Sequence, residues 1–290
     1  MAMSQQSPQG RAPILECVRE GFAFIGRDWR AIVPVAATAA VALTPLEVWS
    51  DVSTTGGDMG SGLLASILGV LVQAVVLAAY YRRALSRGVD PLVLRAGADE
   101  RNVIAATFAI GFFFMIVFIV GLFIVMMALA SLLVGAGVDG DSLQNLPPAE
   151  AAQAFVTALG ADGRIVFFGL LSALALFLLW LSARLTLALP ATVAEQRVLA
   201  FSTWGWTKGN AAPIAACLVL VLIGAIGLSI LAILAPSILI GAVFGQAAMQ
   251  TPGSPAHWVM SYLSAAIGLT FFLAPYAAMS AYLYRGLRPQ

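Results

Sequence analysis

Six long apolar runs constrain this chain more than any other feature, and they span roughly 31–49, 62–81, 104–135, 165–190, 213–235 and 257–283. The hydrocarbon core of a bilayer is about 30 Å thick, which corresponds to about 20 apolar residues of helix. Inside that core a helix satisfies its own backbone hydrogen bonds, as an isolated strand cannot. Apolar residues make up 61% of the chain and mean hydropathy is +0.94, beyond the range of soluble domains. The runs predict an all-α polytopic membrane protein with six transmembrane helices.

The regions flanking these runs set the predicted domain limits. Residues 1–13 are polar and predict a disordered N-terminal tail without a removable signal peptide. Residues 14–290 then form a single six-span membrane domain. One boundary has two alternatives, because the apolar stretch 236–249 either extends the fifth helix or lies along the outer surface.

The basic residues are distributed unevenly between the two sides of the predicted bundle. Fourteen of the fifteen Lys and Arg residues fall on the side that holds both termini, and only Arg164 falls opposite. The positive-inside rule therefore predicts that both termini are cytoplasmic. A net charge of +1 gives no indication of a nucleic-acid partner. The acidic residues predicted to form a solvated face in the outer loops are Glu47, Asp51, Asp58, Asp139, Asp141, Glu150 and Asp162.

Two segments before apolar runs share an amphipathic pattern. Residues 14–30 place apolar side chains at spacings of three and four, and residues 194–208 carry a comparable stripe that includes Trp204 and Lys208. Each segment precedes a proline, Pro34 or Pro213. We expect both to be helices on the cytoplasmic surface that turn sharply near that proline, with Gly209 and Asn210 ending the second in left-handed geometry.

The ends of the runs extend this pattern into an internal repeat. AYYRRAL at 79–85 and AYLYRGL at 281–287 share Ala, Tyr, Arg and Leu at equal offsets, and 90–108 is a weaker candidate for a third surface helix. The sequence therefore predicts three repeats of a cytoplasmic-surface amphipathic helix followed by a helical hairpin, over about 14–90, 91–192 and 193–290. Internal repeats are frequent in transporters, but inert scaffolds also contain duplicated hairpins.

The stretch ARLTLALPATVAEQRVLAFSTWGWTKGN, residues 183–210, carries a recognisable motif. It combines an arginine in a span, a Leu-Pro pair, Val-x-Glu, and a Thr-Trp segment before Thr-Lys-Gly-Asn. It resembles YciC-like inner-membrane proteins and the membrane domain attached to some glycerophosphoryl diester phosphodiesterases. The matching residues include Arg184, Pro190, Glu195, Trp204, Lys208, Gly209 and Asn210, and Trp206 replaces an aliphatic residue. The resemblance implies a six-span helical inner-membrane domain, with the phosphodiesterase activity confined to a soluble domain that this chain lacks.

Basic and aromatic residues at the predicted cytoplasmic ends form the candidate site. We expect Arg83, Arg184, Arg285 and Lys208, with Trp204 and Trp206, to hold an anionic lipid headgroup. Two alternatives are a structural clamp between Arg184 and Glu195, and separate snorkelling of each basic side chain.

No catalytic or metal-binding pattern accompanies these residues, so no enzyme, metal site or cofactor is predicted. His257 is the sole histidine, and Cys17 and Cys217 are interpreted as packing residues. No charged residue stands at the middle of a run, which argues against a proton- or sodium-coupled pump. The sequence favours a non-enzymatic membrane protein that interacts with or organises lipids or partner proteins. A transporter of a lipid or small solute is the alternative, and an intramembrane enzyme is the least favoured class.

Overall fold

The computed structural model describes residues 12–85, 97–135 and 159–288, together with Leu94, Glu150, Gln153 and Thr157. Residues 1–11 of the predicted tail and most of the 136–158 connection lie outside the described residues. The α-helices are α1 (Ile14–Thr55), α2 (Met59–Ala84), α3 (Ala98–Gly135), α4 (Gly160–Leu185), α5 (Ala188–Glu195), α6 (Ala211–Phe244), α7 (Gln246–Gln250), α8 (Pro255–Gly268) and α9 (Ala274–Leu287). A 3-10 turn covers Ser202–Gly205 and a π-helical turn covers Leu269–Leu273. No strand occurs among the described residues.

Six helical stretches are long and apolar enough to cross a membrane, in agreement with the prediction. They are Ile14–Thr55, Met59–Ala84, Ala98–Val134, Gly160–Glu195, Ala211–Phe244 and Pro255–Leu287. Their apolar windows reach a mean hydropathy of 3.0 in the third and fifth stretches. The described part of the chain is therefore all-helical, with six candidate membrane-spanning helices.

The chain divides into two compact units, which we describe separately. Unit 1 comprises Met1–Ala109 and Ala183–Gln290, and unit 2 comprises Ile110–Ser182. In unit 2, Gly121 allows close helix packing, because a Cβ there would lie 2.4 Å from a methyl carbon of Leu174. The rings of Phe177 and Trp180 stack with centroids 5.8 Å apart. Most other large apolar side chains of unit 2 are exposed, as expected for helices surrounded by lipid.

Helix α1 combines the predicted surface segment with the first candidate span. Residues 14–30 are helical as predicted, but the break lies at Asp28 (φ −114°, ψ 18°) and the helix runs through Pro34. The predicted sharp turn at Pro34 is therefore wrong. The buried face of the segment centres on Cys17, Gly21 and Phe24. This face packs on α6 and α9, so tertiary contacts cover a large part of the segment.

The turn between α1 and α2 lies later in the chain than predicted. Helix α1 continues to Thr55, so Glu47 and Asp51 are helical, which corrects their assignment to an outer loop. Asp58 caps α2 by accepting hydrogen bonds from the Ser61 hydroxyl (2.7 Å) and backbone N–H (3.2 Å). These hydrogen bonds lower the pKa of the Asp58 carboxyl below its ordinary value.

The predicted helix over 194–208 does not form. Helix α5 ends at Glu195, where Gln196 adopts a left-handed conformation (φ 55°), and the chain continues through turns and the 3-10 turn. Gly209 has the left-handed geometry expected before the next span (φ +82°), whereas Asn210 does not (φ −113°). Of the weaker surface candidate at 90–108, residues 98–108 are the first turns of α3, and most of the remainder lies outside the described residues.

The proline-containing spans behave in two ways. Helix α6 runs through Pro236 to Phe244, so 236–249 mainly extends the fifth span and ends in the short helix α7. In the sixth stretch the π-helical turn directly precedes Pro275. Proline lacks an N–H and its ring clashes with the carbonyl four residues earlier. The wider π turn at that point relieves the clash.

The main core of unit 1 lies where the N-terminal part of α1 meets α4, α5, α6 and α9. Its fully buried members include Cys17, Leu187, Ile214, Cys217 and Met279. Both cysteines are free thiols, and the two thiols lie in contact with each other. This confirms their interpretation as packing residues. We call this end of unit 1, which also holds the last turns of α2 and α9, the basic end.

Candidate functional site

The segment from Ala183 to Asn210, named here the junction, connects the last turn of α4 to α6. Arg184 is buried, and its guanidinium lies over the Trp204 ring, 4.8 Å from the centroid. The Thr207 hydroxyl donates to the Arg184 carbonyl at 3.2 Å and to the Trp204 carbonyl at 3.1 Å. A desolvated cation over a tryptophan face contributes about 2 kcal/mol. The predicted pair of Arg184 and Trp204 is thus brought together, as a packed stack.

The other motif residues attach the junction to α1 and α9. The Tyr284 hydroxyl donates to Glu195 Oε1 at 3.2 Å, and the Trp206 ring lies 6.1 Å from the Tyr284 ring. Asn210 Oδ1 accepts a hydrogen bond from the Ala12 N–H at 3.0 Å. The carboxylate, the aromatic ring and the amide of the motif thus each contact another part of unit 1. The sequence did not indicate Tyr284 as the common partner of Glu195 and Trp206.

Inside the junction, α5 begins in a way that fits its proline. Pro190 stands in the first turn of α5, where a missing N–H costs nothing because that N–H has no helical acceptor. Thr192 accepts a hydrogen bond from the Leu199 N–H at 3.1 Å, which folds the following turn back onto α5. Pro213 has the same early position in α6. The junction is therefore held by its own turns as well as by its neighbours.

The remaining predicted basic residues face α1 or solvent. Arg83 is exposed, and its Nε donates to Asp28 Oδ1 at 2.8 Å. Arg285 is exposed and lies in the electrostatic field of Glu20 and Arg27. Lys208 is exposed on the turn beside Trp204. The structure thus brings Arg184 together with Trp204, whereas Arg83 bonds to Asp28 of α1 and Arg285 lies near both Glu20 and Arg27.

Sequence reasoning missed a buried ion pair next to Arg83. The guanidinium of Arg82 bonds to Glu100 of α3, and both side chains are buried. Glu100 also accepts a hydrogen bond from the Gly97 N–H at 3.0 Å. An acidic residue in the first turn of a helix is favourable in itself, so nothing near Glu100 in the sequence indicated a long-range partner.

Sequence reasoning also missed a cavity in unit 1, away from the basic end. It has a volume of about 410 Å³ and is partly open at the surface of unit 1. Its polar wall is formed by Glu47 of α1, Gln73 of α2, Ser229 of α6 and Ser264 of α8. Aliphatic side chains and Phe272 complete it. The available signal was Gln73, a polar residue in the middle of a long apolar run.

A second polar group lies beside this cavity. His257 Nε2 is 3.2 Å from Asp51 Oδ2, and His257 Nδ1 is 3.3 Å from the Met249 carbonyl oxygen. Glu47 lies in the electrostatic field of both Asp51 and His257. Within the described part of the chain, no group of three or more His, Cys, Asp or Glu side chains is placed to hold a metal ion.

Comparison with known proteins gives no family for this chain. No protein-family model, curated protein or solved structure matches it. The resemblance of the junction to YciC-like proteins therefore stays a prediction. The features of the molecule that bear on its function are therefore the basic end and the cavity.

Proposed function

We propose that this protein is a non-enzymatic, multi-pass protein of a bacterial inner membrane that binds anionic lipid at its basic end. The single observation that carries the proposal is the concentration of exposed basic side chains around the junction. These residues are Arg19, Arg27, Arg30, Arg83, Arg101, Arg197, Lys208, Arg285 and Arg288. An anionic leaflet attracts each nearby basic side chain by about 1 kcal/mol.

Aromatic side chains at the same end support a membrane interface. Trp29 is 53% exposed, and the Arg30 guanidinium lies 5.5 Å from the centroid of its ring. Trp204 and Trp206 are partly buried in the junction. Tryptophan is enriched at the headgroup level because its ring is apolar and its N–H can remain hydrated. Trp29 and the junction tryptophans would therefore lie at the level of the headgroups that the basic side chains attract.

Within this proposal the predicted site residues have different roles. Lys208, Arg83 and Arg285 are exposed and would contact headgroup phosphates directly. Arg184 is buried in its stack with Trp204 and would position the turn that carries Lys208. Glu195 would fix the other side of the junction through Tyr284.

The orientation and the threefold repeat belong to the same proposal. Both termini would be cytoplasmic, because fourteen of the fifteen basic residues fall on their side of the predicted bundle. The repeat is supported by the equivalent positions of Arg83 and Arg285, each exposed near the C-terminal end of its helix.

Native mass spectrometry from mixed nanodiscs tests lipid binding. The wild type should retain phosphatidylglycerol or cardiolipin in preference to phosphatidylcholine. Replacing Arg197, Lys208 and Arg285 together with Ala should weaken that preference by about 3 kcal/mol in total. Arg164→Ala removes one charge from unit 2 and serves as the control. Equal preference in the wild type and the triple variant would contradict the proposal.

Translocation of a lipid or small solute is the second candidate, and the cavity is the observation that favours it. Polar groups inside membrane-spanning helices often mark a transport path, and Glu47 and Gln73 form part of the cavity wall. Proteoliposomes containing a fluorescent lipid analogue, quenched from outside, would show whether lipid crosses at a rate that depends on the protein. A rate equal to that of protein-free liposomes would exclude lipid translocation.

A further inference from the structure

The cavity contains an ionisable group in a place where membrane proteins rarely keep one. Glu47 lies about two turns before the end of α1 and is half-buried on the cavity wall. An ionisable side chain inside a membrane-spanning helix is costly and by default indicates a function, with a partner to be identified. The Glu47 side chain therefore needs a partner group in this site.

The charges around the cavity favour a cation. Glu47 is the one charged residue among the described residues that line it, and α2, α6 and α8 contribute neutral side chains to the wall. Of the two ionisable neighbours, Asp51 carries a like charge, and His257 is engaged by Asp51 and the Met249 carbonyl. A carboxylate taken out of water needs a compensating charge or hydrogen bonds. The local field is negative and attracts a positive group.

The remaining wall favours a hydrocarbon chain attached to that group. Ile226, Ile230 and Phe272 present apolar surface, and Gln73 and the two serines supply neutral hydrogen-bonding groups. The volume of about 410 Å³ lies within the range of small-molecule sites. An added Cβ at Gly268 would meet no atom within 4 Å, so the wall is also open at this point.

The shape of the cavity depends on the irregular sixth stretch. Leu269, Phe272 and Leu273 line the cavity and belong to the π-helical turn before Pro275. π turns inside α-helices occur frequently at functional sites. Three of the side chains that line the cavity therefore come from this irregular turn.

We propose that this cavity binds an amphiphilic cation, a hydrocarbon chain whose ammonium group pairs with the Glu47 carboxylate. The ammonium would lie at Glu47, and the chain would extend along Ile226, Ile230 and Phe272. The site is independent of lipid binding at the basic end, since none of its lining residues belongs to that end.

Photolabelling with an alkylammonium that carries a diazirine in its chain tests the proposal on the purified full chain in maltoside detergent. We expect labelled peptides from the Ile226–Ile230 region of α6 and from the π-helical turn. Excess unlabelled dodecylammonium should abolish the labelling, whereas dodecanol and dodecanoate should not. A zwitterionic ethanolamine lysolipid distinguishes sources, because competition by both ammonium compounds points to a lipid headgroup and competition by the simple amine alone points to a free amphiphilic amine.

Two substitutions test the charge of Glu47 and the space in the cavity separately. Glu47→Gln should reduce labelling about ten-fold, because it removes a charge-assisted hydrogen bond. Ser264→Trp should abolish labelling by filling the cavity while the carboxylate stays in place. Asp162→Asn makes the same charge change at an exposed position of unit 2 and should leave labelling unchanged.

Three results would overturn the proposal. They are labelling elsewhere in the chain, competition by dodecanol equal to that by the ammonium, and wild-type labelling in folded Glu47→Gln. The competitor series uses wild-type protein, so the charge assignment is tested even where a variant fails to fold.

Discussion

Adjacent arginines at the end of α2 have different surroundings. Arg82 is buried against Glu100, whereas Arg83 is exposed and bonded to Asp28. Successive residues of a helix point about 100° apart, so a pair of arginines faces two different neighbours. At the scale of single residues, the sequence shows that the end of α2 is basic. Only the neighbouring helices determine which of the two arginines forms a buried ion pair.

The buried pair gives a first prediction. Glu100→Gln should destabilise the protein by about 3–5 kcal/mol, because it leaves Arg82 buried without a compensating charge. Thermal unfolding in detergent measures the effect. Replacing both residues with apolar ones of similar size (Arg82→Met with Glu100→Leu) should recover most of the loss, and Glu150→Gln at an exposed position is the control. A Glu100→Gln variant as stable as wild type would show that the pair contributes little.

The stack in the junction gives a second prediction. Arg184→Ala should lower stability by about 2 kcal/mol through loss of the contact with Trp204. The exposed Arg197→Ala removes the same charge nearby and should change stability by less than about 0.5 kcal/mol. Unfolding followed by tryptophan fluorescence reports on both. Equal effects in the two variants would mean that the stack is not what holds the junction.

At the scale of elements, contacts with neighbouring helices explain where a helix bends better than the positions of its prolines do. Helix α1 runs through Pro34 and Pro45, and α6 runs through Pro236. Proline is tolerated in membrane helices because neighbouring groups satisfy the freed carbonyls. The break at Asp28 coincides with its contact to Arg83 of α2. Helix α1 therefore bends at the residue that forms the ion pair with α2.

Two glycines of α1 provide a matched test of this packing. A Cβ at Gly21 would lie 3.0 Å from the backbone oxygen of Pro275, whereas one at Gly26 would meet nothing within 4 Å. Gly21→Ala should therefore cost about 1–3 kcal/mol by forcing α1 away from α9. Gly26→Ala should be neutral or stabilise by up to about 1 kcal/mol, because alanine favours helix. The melting temperatures of the two variants, measured in the same detergent, test this difference. A neutral Gly21→Ala would contradict the close approach of α1 to α9 at Pro275.

For the whole molecule, the topology is the property to test. Six spans and the uneven distribution of basic residues predict that a reporter fused after residue 290 and one inserted within 139–162 lie on opposite sides of the membrane. Fusions to alkaline phosphatase and green fluorescent protein measure this, because each reporter is active on one side. Activity of the same reporter at both positions would exclude the six-span topology.

The sequence by itself determined the number of apolar helices, because hydropathy over about 20 residues is a local property. It also placed several local features correctly, including the start of α1 at Ile14 and the left-handed Gly209. Both depend on residues close in sequence. The helix expected over 194–208 does not form, because Trp204 of the predicted stripe packs on Arg184 from a turn. The neighbouring Trp206 packs on Tyr284.

Only the tertiary structure decided which faces of the helices meet. In a soluble protein the polar face of a helix marks its exposed side, but a helix in lipid is apolar on both its packed and its lipid-facing sides. The periodicity of α6 therefore could not show that Ser229 lines a cavity while Cys217 lies in the core beside Cys17. Glu47 lies in α1 and not in the predicted outer loop. Its neighbours in the cavity wall, Gln73 and Ser264, come from helices far away in the chain, so the local sequence could not place Glu47 there.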